Sequence, residues 1–462
     1  MTDLDNPHSW KLKGQGNANI VFAYSGNRQW LADKVLRVRK TAQNADTEAV
    51  ILRPTESLES RVWSPLIPES ISGASERQTA YEEAVLRQLL GAQYIHTGLP
   101  CNLSTEFAAA LSAQLQSADT SLSCKAWLLP DHTVFRQCTL CVEIKPKCGF
   151  LPTSILIRPE HGIKHRVPRF QLHQQLKLAQ GKIKHLSNYN PLDLFSGEPQ
   201  RVEAAVAALF AEPQNNLKLF LDGSPMQSPQ DDRLPSLELL PVVQQAGGVW
   251  GLIRLLRVIL LREGVLDSIL KVQKMDVHDI EGIHPLLTTL LQRHPPLSLS
   301  EDTPQCRQNA PCASIEAHMA SPSGHKAPAG NTSGEHDAAL KRLLTTDFET
   351  AAEEAADMTA LTRLAFPDLQ LTIAALRLTV AQKQAADRGA RAPLVFFSRW
   401  QEDPSVGSAV QHGETGTWFR YKVAVVDLDL KPLSKVEQHF RLEQQILDCV
   451  LRTNGTAAPG AQ

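Results

Sequence analysis

The sequence is organised around residues 141–152, Cys141-Val142-Glu143-Ile144-Lys145-Pro146-Lys147-Cys148-Gly149-Phe150-Leu151-Pro152. Apolar and charged residues alternate from Val142 to Lys145, which predicts a strand with apolar side chains on one face and charged ones on the other. Pro146 removes a backbone donor and Gly149 permits a turn, so we expect the strand to end near them. A carboxylate and two ammonium groups would then leave one strand end side by side. The alternative is an edge strand whose charged face is solvated.

Length and composition are typical of a soluble globular protein, because 42% of the 462 residues are hydrophobic and 21% are charged. This length fits two or three domains, or one large two-lobed domain. The formal net charge of -2 argues against a generally cationic nucleic-acid-binding protein. No stretch of about 18 uncharged apolar residues occurs, so we expect no membrane span. The eight cysteines are scattered along the chain and no apolar run of signal-peptide type is present, which predicts reduced thiols and a cytoplasmic and/or nuclear location. We also expect a monomer.

The first 40 residues contain a glycine-containing hairpin. Residues Trp10 to Tyr24 alternate like two strands around Gly14-Gln15-Gly16, and small residues at such a turn let backbone N–H groups approach a phosphate. The next predicted strand, Lys34 to Lys40, offers Arg37 or Arg39 as a cation that could face ATP phosphates. An ordinary hairpin is the alternative, because a GxG pattern alone is weakly specific.

Two sets of basic residues recur at steps of four, which on a helix forms a stripe along one face. They are Arg169, His173 and Lys177, and later Lys431, Lys435 and His439. Like charges stacked in this way repel one another unless an anion lies between them. The stripes are therefore interpreted as phosphate-binding surfaces, with solvated basic faces as the alternative.

Two aspartates stand at the ends of apolar segments. Asp427 follows the apolar run from Val423 to Val426, and Asp368 precedes an alternating apolar segment. A strand exit is a common position for a carboxylate that binds magnesium. These aspartates are therefore candidates for binding a magnesium–nucleotide complex.

The remaining chain changes in character along its length. Residues 235–293 are rich in leucine and predict a small helical bundle. Residues 295–335 are low in aliphatic residues, which predicts a disordered insertion. Residues 453–462 are predicted to form a disordered C-terminal tail. The insertion contains enough ligands for structural zinc, but their spacing matches no zinc motif and favours a chance cluster. These ligands are Cys306, Cys312, His318 and His325.

A resemblance to a known family gives these features a common purpose. Glu143-Ile144-Lys145-Pro146-Lys147 resembles the Glu-x-Lys-Pro-Lys signature of inositol-pentakisphosphate 2-kinases. Six other segments resemble that family in the same order, which makes the match specific. They are Gly14 to Asn19, Leu36 to Lys40, Arg169 to Lys177, Pro191 to Gly197, Asn215-Asn216, and Asp427 to Pro432. The resemblance extends from about residue 10 to 442, apart from the insertion.

The resemblance implies an α+β fold, two-lobed and kinase-like, with a small β-rich N-lobe (10–132) and a larger mixed C-lobe (133–452) that carries the insertion. It implies ATP and magnesium as cofactors. The implied reaction transfers the ATP γ-phosphate to the 2-hydroxyl of inositol 1,3,4,5,6-pentakisphosphate and gives inositol hexakisphosphate. The rival hypotheses are a protein that binds inositol polyphosphate without turnover, and a kinase for another inositol phosphate.

The resemblance also implies nucleotide-binding residues. Gly16, Asn17, Ala18, Asn19 and Arg37 would hold ATP phosphates. Pro130, Asp131 and His132 would form the hinge beside adenine, with Glu143 in the nucleotide pocket. Lys218 would lie near the nucleotide phosphates, and Asp427 would bind magnesium.

Catalytic and inositol-binding residues are implied in the same way. Lys145 would stabilise charge on the transferring group, and Asp368 would orient or deprotonate the 2-hydroxyl. The inositol phosphates would be bound by Lys147, Arg169, His173, Lys177, Asn215, Lys431, Lys435 and His439. The chain departs from the family pattern around Asp368, where Pro367 and Leu369 replace the usual Lys and Cys, and at Lys435 and His439, where Arg and Tyr are more common.

Overall fold

The structure is a computed structural model that describes most of the chain outside two long segments. The described residues are 4–16, 18–41, 67–68, 71, 74–115, 121–134, 139–227, 234–274, 276–293, 391–399 (backbone only), 408–426 and 433–455. Within them the protein is a mixed α+β structure built on two antiparallel sheets.

The first sheet has five strands in the order β1-β2-β3-β5-β4, and each neighbouring pair is antiparallel. The strands are β1 (Trp10–Gln15), β2 (Asn19–Tyr24), β3 (Lys34–Lys40), β4 (Leu99–Asn102) and β5 (Leu122–Pro130). The predicted glycine hairpin and the strand after it are therefore confirmed. One face of the sheet is apolar, with Trp10, Phe22, Leu36 and Leu128 buried in a common core.

Helical segments join β3 to β5. They are α1 (Ala74–Tyr81), a π-helical turn (Glu82–Leu86), α2 (Arg87–Leu90) and α3 (Thr105–Ser112). Helix α2 ends at Gly91, whose φ of 101° is in the left-handed region that glycine adopts without strain. Helix α3 begins after Ser104, whose hydroxyl accepts a hydrogen bond from the Phe107 N–H at 3.1 Å, and packs Leu111 into the core of the sheet.

The second sheet has six strands in the order β10-β11-β9-β6-β7-β8, again antiparallel throughout. The strands are β6 (Leu140–Ile144), β7 (Leu217–Leu221), β8 (Ser224–Pro225), β9 (Arg391–Arg399), β10 (Ser408–Gln411) and β11 (Trp418–Val426). The edge-strand interpretation of residues 142–145 is wrong, because β6 lies between β7 and β9. The central position of β6 agrees with its burial, because Leu140, Cys141, Val142 and Ile144 are all 0% exposed.

Helices cover the face of this sheet that carries Val142 and Ile144. They are α4 (Arg169–Ala179), α5 (Pro191–Leu194), α6 (Pro199–Ala211), α7 (Pro241–Gln245), α8 (Gly248–Glu263), α9 (Val265–Lys274), α10 (Asp279–Arg293) and α11 (Lys435–Gly455). A short 3-10 helix, Pro159–His165, precedes α4. Side chains of the sheet and of α6 to α10 form one large core. The predicted helices in 235–293 are confirmed.

The end of the chain differs in detail from the prediction. Helix α11 begins at Lys435 and carries Lys435 and His439 of the second stripe, whereas Lys431 lies outside the described residues. The helix continues to Gly455, beyond the expected start of the tail at residue 453. The insertion 295–335, with its predicted zinc ligands, lies outside the described residues.

Two other sequence predictions concern the described residues. No helix in that part of the chain is both long and apolar enough to cross a bilayer. The five cysteines within it are free thiols, namely Cys101, Cys124, Cys141, Cys148 and Cys449.

Gly149 tests how tightly the segment after β6 is packed. A Cβ atom there would lie 2.1 Å from Phe195 Cδ2, and the Phe195 ring is 6% exposed within the core. Gly149→Ala is therefore expected to lower the free energy of unfolding by about 1–3 kcal/mol, as overpacking does elsewhere. Urea-induced unfolding measures this. The control is Gly162→Ala, whose added methyl group would meet no atom within 4 Å. Equal stability of the two variants would contradict the predicted clash.

Candidate functional site

A cavity of about 260 Å³ lies where the segment after β6 meets helices α4 and α11. It is lined by most of the residues that the sequence assigns to catalysis and inositol phosphate binding. These are Lys145, Lys147, Arg169, His173, Lys177, Asn215 and His439. Residues that are far apart in sequence therefore converge on one concave site, which includes the whole first stripe but only His439 of the second.

The backbone of residues 145–149 is fixed by hydrogen bonds from three directions. The Lys145 N–H donates to Asn216 O at 2.8 Å, which extends the β6–β7 ladder by one residue. The Tyr189 hydroxyl donates to Pro146 O at 2.6 Å. The Gln273 amide binds both sides of the turn, because its Nε2 donates to Lys147 O at 2.9 Å and its Oε1 accepts from Gly149 N at 2.8 Å.

These bonds hold Lys147 in an unusual conformation. Its φ is 63°, in the left-handed region that costs a non-glycine residue about 1–3 kcal/mol. Gln273 is 0% exposed, so its two hydrogen bonds are shielded from water and can maintain the turn. Sequence analysis missed Gln273, since no local pattern links it to Lys147. The Lys147 ammonium lies 5.8 Å from the centre of the Phe170 ring, which supports it by a cation–π contact.

Helix α4 presents its basic stripe to the cavity. Phe170, Leu172 and Leu176 of the same helix are buried, so apolar side chains beside the stripe anchor the helix. Burial, followed by the charges of Arg169, Lys177 and Lys147, lowers the pKa of His173 to about 4. The pKa of Lys177 is also lowered, by burial and by Lys182. Both shifts indicate cations crowded in a partly dehydrated place, the arrangement that a bound anion relieves.

The cavity also contains carboxylates, which sequence analysis missed. Glu443 on α11 accepts a hydrogen bond from Arg169 Nε at 2.6 Å. Lys164, which is 3% exposed, lies 2.5 Å from Asp279 Oδ1 and 3.2 Å from both Glu281 Oε1 and Glu443 Oε1. Burial alone would lower the pKa of Lys164, but the surrounding carboxylates outweigh burial and raise it. Lys164 is therefore an ion-paired support of the wall.

The charges of the lining residues do not cancel. Among the described residues, five lysine or arginine side chains and the carboxylates of Asp276, Asp279 and Glu443 line the cavity. The formal charge is +2 when the lining histidines His173 and His439 are neutral. A ligand with several phosphates, each carrying about -1.5 to -2 charges, exceeds this charge and favours protonation of the histidines.

Of the other residues predicted to act in this site, one lines the cavity, one does not, and two lie outside the described residues. Asn215 lines the cavity next to Lys145, as expected. Lys435 is exposed at the first residue of α11 and is not among the lining residues. Asp368 and Lys431 lie outside the described residues, so their roles remain predictions.

Most of the described residues that are predicted to bind nucleotide lie in the first sheet and its connection to the second, whereas Glu143 and Lys218 lie on β6 and β7. Gly16 N–H donates to Asn19 O at 2.8 Å and closes the hairpin, with Ala18 in its turn. Asn17 lies outside the described residues. Leu36 and Val38 are buried in the core, so Arg37 between them projects from the other face of β3, next to Trp127 of β5.

The connection between the sheets contains an ion pair that sequence analysis missed. Lys13 of β1 pairs with Asp131, and both side chains are buried. Asp131 Oδ1 also accepts from the N–H of Thr133 at 2.9 Å and from its hydroxyl at 2.7 Å. The Asp131 carboxylate is thus already paired with Lys13 and Thr133 within the predicted hinge.

The remaining hinge residues are close to these groups. Pro130 ends β5, and the His132 ring lies 4.7 Å from that of His96. Burial, together with the neighbouring positive charges, lowers the pKa of His132 to about 3. A neutral imidazole is therefore expected at the hinge at neutral pH.

Glu143 lies on the opposite face of β6 from Val142 and Ile144. It is directly across from Lys218 in the register of β6 and β7. Burial raises the pKa of the neighbouring Cys141 thiol, and the charges of Glu143 and Asp131 raise it further. Glu143 is thus close to the hinge, whereas Lys145, two residues later, lines the cavity. Asp427 directly follows β11 but lies outside the described residues, so magnesium binding remains a prediction.

Comparisons with known proteins agree with the resemblance seen in the sequence. The sequence model of the family described as "Inositol-pentakisphosphate 2-kinase" matches residues 13–445. A protein of that name from Arabidopsis thaliana is 30% identical over 477 residues, which cover 95% of this chain and 92% of the relative. The rice relative named "Inositol-pentakisphosphate 2-kinase IPK1" (Oryza sativa subsp. indica) is 29% identical, over 96% of this chain and 93% of its own length. A Danio rerio relative is 34% identical over 52% of this chain and 49% of the relative.

The lowered pKa of His173 leads to a pH-dependent prediction. A bound polyphosphate would raise this pKa from about 4, so protonation of His173 would favour the complex over the free protein. Affinity for inositol hexakisphosphate should therefore increase as the pH falls from about 8 to about 6 more steeply in the wild type than in His173→Asn.

Isothermal titration calorimetry of both proteins measures the effect. The ratio of the two affinities removes the titration of the ligand's own phosphates, which is common to both. A ratio that is constant over this pH range would contradict the proposed contact between His173 and a phosphate.

Proposed function

Because this chain belongs to the inositol-pentakisphosphate 2-kinase family, we propose that it transfers the γ-phosphate of ATP to the 2-hydroxyl of inositol 1,3,4,5,6-pentakisphosphate, which gives inositol hexakisphosphate. The observation that carries this proposal is the convergence of Lys145, Lys147 and the α4 stripe on one cavity. A dense set of cations in a concave site is suited to a compact polyanion.

The two sheets support a kinase-like arrangement of two lobes. In this proposal the five-stranded sheet belongs to an N-lobe of residues 10–132, and the six-stranded sheet with its helices belongs to a C-lobe of residues 133–452. The nucleotide lies between them, beside Arg37, the hinge and Glu143. The Lys13–Asp131 ion pair then holds the hairpin against the hinge.

Strand β6 explains how two substrates meet. Glu143 faces the hinge side of the strand, while Lys145 lines the inositol cavity. Lys145 therefore lies at the boundary between the proposed nucleotide and inositol sites. An ammonium at that position stabilises the charge that spreads over the oxygens of the transferring phosphoryl group. Positioning and electrostatics of this kind supply most of the catalysis in phosphoryl transfer.

The inositol phosphates are bound by the cavity walls. Lys147, Arg169, His173 and Lys177 surround the ring, with Asn215 and His439 completing the site among the described residues. Lys431 and Lys435 are proposed to contact phosphates from the start of α11. Asp368 is proposed to orient or deprotonate the 2-hydroxyl.

A divalent metal is expected from the kinase family, and we assign magnesium to Asp427. When bound, the ion would neutralise charge on the nucleotide phosphates. Among the described residues, no group of three or more His, Cys, Asp or Glu side chains is placed to hold a metal ion. The assignment therefore depends on Asp427, at the exit of β11.

Turnover with product identification tests the reaction. The purified chain with ATP, Mg²⁺ and inositol 1,3,4,5,6-pentakisphosphate is expected to give inositol hexakisphosphate and ADP in equal amounts, because each transfer consumes one γ-phosphate. Anion-exchange chromatography identifies the product. Chelation of the metal should stop the reaction, and added Mg²⁺ should restore it. Tight binding of the pentakisphosphate without any product would contradict the enzyme and favour a binding protein.

Two lysine substitutions separate catalysis from binding. Lys145→Ala is expected to reduce kcat by about 100-fold or more, because it removes charge stabilisation from the transition state. Lys147→Ala should instead raise the KM for inositol pentakisphosphate about 10-fold, because it removes one phosphate contact. Steady-state kinetics in both substrates measures the two effects. Lys184→Ala is the control, since this exposed lysine lies outside the cavity. A near-normal kcat in Lys145→Ala would contradict its assignment.

A further inference from the structure

The proposed site contains a carboxylate whose presence needs an explanation. Glu443 lines the cavity that is proposed to bind phosphates, yet its carboxylate is negatively charged, as the phosphates are. Its side chain is 2% exposed, so its charge is poorly screened by water. Such a group repels a phosphate unless its charge is neutralised locally.

Two cations neutralise Glu443 from different sides. Arg169 donates from Nε to Glu443 Oε2 at 2.6 Å, and Lys164 Nζ lies 3.2 Å from Glu443 Oε1. Arg169 is a predicted phosphate ligand, whereas Lys164 lines the cavity but is only 3% exposed and is surrounded by carboxylates. Glu443 thus connects a predicted phosphate ligand to a buried cation.

The interior side of this connection is itself fixed. Lys164 also pairs with Asp279 and Glu281 of α10. Glu281 accepts from the Arg158 backbone N–H at 3.1 Å and lies 3.0 Å from His161 Nδ1. The 3-10 helix and α10 therefore hold Lys164 in place, and Lys164 holds Glu443.

Helices α4 and α11 are already joined without Glu443. Leu172 and Leu176 of α4 pack against Ile446 and Val450 of α11 in a buried apolar cluster. Helix docking therefore does not depend on the Arg169–Glu443 bond alone. The Arg169–Glu443 hydrogen bond instead orients the side chain, because a carboxylate bound at Nε fixes the plane of the guanidinium group.

We propose that Glu443 is a positioning residue for substrate recognition, which fixes the guanidinium of Arg169 for a phosphate of the inositol ligand while Lys164 neutralises its charge. This inference rests on the proposed function, since it names the part of the same site that Glu443 serves. Glu443 itself does not contact the ligand in this scheme. Its effect on affinity passes entirely through Arg169.

A double-mutant cycle tests the dependence on Arg169. Glu443→Gln keeps the size of the side chain and removes its charge. It is expected to weaken binding of inositol hexakisphosphate about 10-fold and to raise the KM for inositol pentakisphosphate similarly, while kcat and the KM for ATP change less than about two-fold. In the Arg169→Ala background the same substitution should change affinity by less than about two-fold. Calorimetry with inositol hexakisphosphate gives the affinities without requiring turnover.

A matched control is available on the same helix. Glu437 is a half-exposed carboxylate of α11 that pairs with His284 and Arg441, away from the cavity. Glu437→Gln should leave the affinity for inositol hexakisphosphate unchanged. If Glu443→Gln does not fold, Glu443→Asp replaces it. The shorter carboxylate still faces buried Lys164 but withdraws from Arg169, so it should weaken binding in the wild-type background and not in the Arg169→Ala background.

Several outcomes would overturn the proposal. Equal effects of Glu443→Gln with and without Arg169 would show that Glu443 acts independently. Tighter binding in Glu443→Gln would show that its charge opposes the ligand. Equal weakening of ATP and inositol phosphate binding would show a purely structural role. A wild-type chain without turnover but with a non-additive cycle would overturn the kinase function and keep the positioning role. A wild-type chain that binds neither inositol pentakisphosphate nor inositol hexakisphosphate would overturn both.

Discussion

The repulsion between cations that must share one small cavity is the constraint on which the site depends. Two like charges 4 Å apart repel by about 1 kcal/mol in water and about 4 kcal/mol near a protein surface. The protein counters this cost with carboxylates placed behind the cations, of which Glu443 and the group around Lys164 are the clearest. Four elements must come together to do so, namely the 3-10 helix 159–165, α4, α10 and α11. The packing of the C-terminal helix therefore also determines the electrostatics of the site, because it brings Glu443 to the cations.

Strand β6 and the turn after it contribute residues to both of the proposed binding sites. Its position in the middle of the sheet fixes which side chains face the helical core and which face the hinge. Alternation alone would keep Lys145 and Lys147 on the same face as Glu143. The turn changes this, because Pro146 ends the ladder and Lys147 adopts a left-handed conformation. Gln273 and Tyr189 then maintain the turn from the interior.

Sequence patterns predicted the parts of the site that depend on local spacing. The stripe of Arg169, His173 and Lys177 follows from helical periodicity, and the Lys145 and Lys147 pair follows from a strand that ends at a proline. The supporting ion pairs could not be predicted this way, because Lys164 and Glu281 are 117 residues apart and Lys13 and Asp131 are 118 apart. No periodicity connects such residues, and the buried charge and its partner can be identified only from the folded structure. The central position of β6 was missed for a similar reason, since its neighbour β9 comes from about 250 residues later in the chain.

The balance of charge in the cavity also bears on how a product with one more phosphate can leave. The added group brings about -1.5 to -2 charges, so a cavity of unpaired cations would hold the product more tightly than the substrate. Two features of this site restrain that gain. Arg169 already shares its charge with Glu443, and His173 is neutral in the free protein because burial and its cationic neighbours lower its pKa. A site that remains only modestly positive when empty binds through the geometry of its contacts, and contacts fitted to the substrate discriminate between phosphates by position rather than by number.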